Sequence, residues 1–118
     1  MPWDSGNWHI TPGLWYWFSH QDLLAALAPK FLATNEGGAA QYVATVRRAY
    51  EVLGVAEHYR HTPYPKYADV TLTPVLATQG YSQKSYFDAC GVDAPDHSFR
   101  AAPSLALLAK CFGMEKKV

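Results

Sequence analysis

Over 118 residues the chain carries ten Lys and Arg against ten Asp and Glu, is 49% hydrophobic and only 17% charged. That is the length of one domain, with enough apolar surface to offset the entropy of ordering, which excludes intrinsic disorder. A zero net charge leaves no surplus of cations to displace phosphate counterions, which excludes nucleic acid as a partner.

Residues 1–18 read as an extended aromatic arm. Trp3, Trp8, Trp15 and Trp17 are all the tryptophans of the chain, and Pro2, Gly6, Pro12 and Gly13 between them break regular structure. The stretch lacks the basic region, apolar core and small-residue cleavage site of a secretory signal, so the chain reads as intracellular rather than secreted. Its apolar run from Leu14 to Phe18 is far shorter than the ~20 residues that cross a bilayer. There is therefore no transmembrane segment, although aromatic rings suit an apolar–aqueous boundary and leave peripheral membrane contact open.

Ser19 followed three residues later by Asp22 predicts a helix start, with Leu23, Leu24 and Leu27 as its apolar stripe and Pro29 at its end. Asn35 reads as an N-cap, with Glu36 in the first turn of the helix it opens. After Gly37 and Gly38, residues Tyr42, Val46, Ala49, Tyr50 and Leu53 recur at three- and four-residue spacing, predicting a long central helix. That helix pauses at Gly54 or continues through His58, and Pro63 and Pro65 stop it. From Thr62 to Gly80 three prolines and four threonines predict an extended segment draped over a surface. Ser82 then caps a short helix with Tyr86, Phe87 and Cys90, closed by Gly91 with Val92 as its hydrophobic contact. A last helix opens near Pro103, puts Leu105, Leu108, Ala109 and Phe112 on one face, and ends at Gly113 before the polar tail Glu115-Lys116-Lys117.

Chemistry-bearing constellations are sparse. His58 and His61 lie three apart and share a helix face if the central helix reaches them, and Asp96 with His97 could complete a metal site across the fold. The bland alternative places His58 and His61 at a helix carboxy end, where the dipole favours cations. Cys90 and Cys111 lie near helix carboxy ends, which disfavour a thiolate, and read as small core residues. Arg47 and Arg48 read as a solvated helix face. No G-x-S-x-G, P-loop, H-E-x-x-H or G-x-G-x-x-G motif occurs, so no residue is assigned a catalytic role.

The expectation is a mainly α domain of three to four helices, divided into the arm (1–18), a helical core (19–61), the extended segment (62–80) and two short helices with the tail (81–118). Its aromatic surplus predicts a non-catalytic accessory or structural subunit of a multiprotein assembly, without cofactor. Trp3, Trp8, Trp15, Trp17, Tyr64 and Tyr67 would anchor it to other protein subunits. Two alternatives stand beside this reading. One is a small metal- or Cys/His-dependent enzyme or inhibitor built on His58, His61, Asp96 and His97, with Cys90. The other is a ligand-binding helical domain whose aromatic rings line a pocket.

Overall fold

The computed structural model describes residues 16–76 and 80–114, so Trp3, Trp8, Trp15 and the tail from Glu115 lie outside the described residues. Helix α1 (His20–Ala25) begins where the sequence places it. The Ser19 amide donates to Asp22 Oδ2 at 2.8 Å and the Asp22 amide donates back to Ser19 Oγ at 3.4 Å, a reciprocal cap for two otherwise orphaned donors.

The chain next forms strand β1 (Leu32–Asn35), crosses through helix α2 (Ala40–Val52), and returns as strand β2 (Tyr59–Thr62). The two strands pair in parallel, Leu32 against Tyr59 through Asn35 against Thr62. A parallel pair requires a long crossover, and α2 supplies it. This corrects the mainly α expectation: after α1, residues 32–62 form a β-α-β unit. Each strand has only four residues, too few to show a period of two beside the strong helical repeat of α2. Asn35 ends a strand instead of capping a helix, and α2 starts after Ala39 without a side-chain cap.

The core forms where α2 lies over the strands. Val46, Tyr50 and Tyr59 are buried, with Leu24, Ala28, Leu32, Val43 and Val55 packed against them. The Tyr50 and Tyr59 rings stack at 5.5 Å, and Tyr50 Oη donates to the Lys30 carbonyl at 2.8 Å, tying the crossover helix to the approach of β1.

Beyond β2 the segment 62–76 turns once through a short 3-10 helix (Pro65–Tyr67) and then runs without regular structure. Gln41 fastens it to α2 by donating to the Val75 carbonyl and accepting from the Val75 amide, both at 3.1 Å. Helix α3 (Gln83–Ala89) is capped by Ser82 and closed by Gly91, whose φ of +65° is left-handed. The Val92 amide donates to the Phe87 carbonyl at 2.8 Å, completing the turn.

Helix α4 (Ala101–Cys111) differs from expectation in its orientation: Leu107 is buried, while Leu105, Leu108 and Phe112 are each more than half exposed. Cys90 is buried, whereas Cys111 on α4 is exposed rather than a core residue, and both thiols are free.

Tyr50→Phe removes the part-buried hydrogen bond to the Lys30 carbonyl, so unfolding stability falls by about 0.5–1.5 kcal/mol, measured by urea denaturation.

Candidate active site

The carboxyl ends of both strands converge on one side chain. Glu36 immediately follows β1, and its amide donates to the Thr62 carbonyl at the end of β2 at 2.6 Å. Its φ is +73°, a left-handed conformation that a non-glycine residue adopts only where its surroundings impose it. Here they do: the Gly38 amide donates to the Cys90 carbonyl at 3.1 Å, and a Cβ at Gly37 would lie 2.7 Å from Val92 Cγ2. The turn is thus pressed against the corner that follows α3. The result is an inward-turned carboxylate, the one buried charged side chain among the described residues.

That carboxylate is fully shared out. His97 Nδ1 hydrogen-bonds Glu36 Oε2, and the Ser98 amide donates to Oε1 at 2.8 Å. Arg100 Nε lies 3.2 Å from Oε1, and the buried Tyr64 lies against the same carboxylate. The Ser98 amide above all, then His97 and Tyr64, hold the Glu36 carboxyl below the usual range against the opposing effect of burial. An ionised carboxylate only accepts, so His97 Nδ1 carries a proton, and in the neutral imidazole the lone pair is therefore on Nε2. The His97 side chain is 79% exposed. It opens on a cavity of about 320 Å³ lined by Asn35, Glu36, His97, Ser98, Phe99 and Arg100. The arrangement suits a base: an imidazole with its far nitrogen free, held in one tautomer by a fixed acid.

The four residues of the predicted metal site do not converge. His58 donates through Nδ1 to the Pro29 carbonyl at 2.7 Å and stacks on Phe31 at 4.0 Å. His61 is paired across the strands with Thr34 Oγ1 at 3.0 Å. Asp96 binds Arg100, and only His97 belongs to the site. Among the described residues no group of three His, Cys, Asp or Glu is placed to hold a metal. Cys90 is buried and its thiol is pushed up by that burial, so it is no nucleophile. Of the proposed anchors, Trp17 is exposed, but Tyr64 and Tyr67 are buried in their own chain. Tyr64 lies against Glu36, and Tyr67 Oη donates to Asp88 at 2.8 Å. Sequence reasoning missed Glu36 and Arg100. The available signal was an acid three residues past the apolar run Phe31-Leu32-Ala33, with a histidine well downstream.

Parallel strands joined by a helical crossover, with an acid just past the first strand and a histidine bonded to it, define part of an α/β hydrolase. The sequence profile of the Abhydrolase family matches residues 2–110, and the chain belongs to that family. Among solved structures it is similar to a protein from Bacteroides fragilis NCTC 9343 described as an acetyl xylan esterase, with a TM-score of 0.80 and 31% identity. The likeness covers 88% of this chain and 27% of that one, so the chain spans about a quarter of that protein's length. No curated protein matches. These findings overturn the expected all-α, non-catalytic accessory subunit: the fold is α/β, and the relationship is to hydrolases. The aromatic surplus misled in part because Tyr64 and Tyr67, expected to face other subunits, are buried within their own chain. Among the described residues no helix is long and apolar enough to cross a membrane.

Burial first, and then the Arg47 charge, hold the His61 imidazole below its ordinary value. The unfolded chain therefore takes up this proton first, and His61 leaves stability intact above about pH 6.5 but lowers it as pH falls through that value. Thermal melts between pH 7.5 and 5.5 are expected to show this decline, and His61→Gln to flatten it.

Proposed function

We propose that the chain supplies the acid and base of an acyl-ester hydrolase, Glu36 orienting His97 and His97 Nε2 acting on a serine hydroxyl. The observation that carries the reading is the bond from His97 Nδ1 to a Glu36 carboxylate fixed beyond the carboxyl ends of two parallel strands, where α/β sites form. In α/β hydrolases the order along the chain is serine, acid, histidine, and Glu36 precedes His97 accordingly. Ser19 is the only described serine before Glu36, and it is occupied as the cap of α1. The nucleophile thus comes from outside the described residues. Two further features support this. A two-stranded sheet is marginal by itself, and α4 turns Leu105, Leu108 and Phe112 outward, the kind of surface that further layers of an α/β sandwich cover.

In the reaction, His97 Nε2 takes the serine proton as the serine oxygen bonds to the acyl carbon. The imidazolium is stabilised by Glu36 and then returns the proton to the departing alcohol as the ester C–O bond breaks. Water repeats the cycle and releases the acid. Because the similar solved protein is described as an acetyl xylan esterase, a short acyl group on a carbohydrate hydroxyl is the substrate class to try first.

Steady-state hydrolysis of 4-nitrophenyl acetate by the native protein tests the reading. His97→Ala and Glu36→Gln are each expected to lower kcat by about 10⁴-fold, since each leaves the serine without an oriented base. Retention of most of the activity in either variant overturns the assignment.

A further inference from the structure

Arg100 touches the acid of the pair and the residue just before its histidine, without lying in line for proton transfer. One terminal nitrogen, NH2, donates to the Asp96 carbonyl at 2.7 Å and to Asp96 Oδ2 at 2.8 Å. Its Nε lies 3.2 Å from Glu36 Oε1 but makes no aligned hydrogen bond, so this contact is one of charge with charge. Its guanidinium sits 5.5 Å from the centre of the Tyr64 ring. Asp96 stands one residue before His97 and Arg100 three after, and the residues between them form neither helix nor strand. Apart from the Glu36 bond, this exposed histidine is held by the loop that carries it.

We infer that Arg100 is the positioning residue of the acid–histidine pair, closing the 96–100 loop over Glu36 so that His97 can present only Nδ1 to the carboxylate. This rests on the hydrolase reading of the same site. The division of labour follows from the two carboxylate oxygens: Oε1 is occupied by the Ser98 amide and the guanidinium, which leaves Oε2 for the histidine. A guanidinium can do this and an ammonium cannot, because only the planar fork reaches Asp96 through one nitrogen while facing Glu36 with another. The charged and titratable groups bearing on the clamp are Asp93 and Asp96 before His97, Tyr64 from the segment after β2, and Glu36 after β1.

The test is ring-nitrogen NMR of His97 on the intact protein, read as the Nδ1–H resonance and the ratio of the two neutral tautomers, together with ester-hydrolysis kinetics. Wild type is expected to show one tautomer with a persistent Nδ1–H signal. Glu36→Gln erases that signal if the acid–histidine reading holds, and its survival there sinks that reading independently of Arg100. Arg100→Gln is expected to mix the tautomers and to lower kcat by up to about 100-fold with KM unchanged, while circular dichroism stays native. Arg100→Lys, which keeps the charge and loses the fork, recovers part of the loss. Asp96→Asn removes the charged half of the clamp, keeping the contact with the residue 96 carbonyl and leaving Arg100 beside Glu36, so it is expected to mix the tautomers to a smaller degree and decides the matter should Arg100→Gln not fold. A wild-type tautomer ratio in folded Arg100→Gln, or failing that in Asp96→Asn, overturns the proposal.

Discussion

A carboxylate withdrawn from water must have its charge matched by donors, and most of what lies beyond the β-α-β unit in this chain answers that demand at Glu36. The strand end delivers the side chain, a left-handed turn aims it inward, and four groups drawn from two separate stretches of sequence converge on it. Ser98 and Arg100 come from the segment before α4, together with His97 itself. Tyr64 comes from the turn after β2. Take away the ionised acid and the loop bearing His97 keeps only the Arg100–Asp96 clasp and the Asn35–Ser104 bond to hold it near the strand end. Structure and chemistry therefore depend on one group, as expected where a site stores local strain that the surrounding fold overdetermines.

The scaffold beneath this site is slight. One crossover helix, two four-residue strands and a tyrosine pair hold the core, while α3 and α4 are joined to it by caps and single side chains. Within α4, leucines at 105, 107 and 108 put apolar groups on both sides of one helix, and only Leu107 is buried. The chain spans about a quarter of the length of the esterase it resembles.

Much of the helical framework was legible. The Ser19–Asp22 box, the repeat in α2, the Ser82 cap and the Gly91 stop are local signals, each written within a few neighbouring residues. The strands were not, because Leu32–Asn35 and Tyr59–Thr62 are defined by each other across a helix, and four residues carry no periodic signature alone. The site failed for the same reason. His97 stood out by residue type, but its partner lies 61 positions earlier in a stretch, Asn35-Glu36-Gly37-Gly38, that imitates a helix cap. His58 and His61 looked paired through their spacing, yet one serves a carbonyl and an aromatic ring and the other a strand partner.

The missing side chain at Gly37 ties two remote stretches of the sequence together. Because Val92 fills the space where a methyl group would otherwise sit, the turn that aims Glu36 and the corner closing α3 share one small volume. Neither position can drift alone over evolutionary time: alanine at 37 becomes tolerable only after 92 has shrunk. Variation at these two places should therefore be correlated across the lineage, leaving a record of the acid's posture at a residue that never meets a substrate.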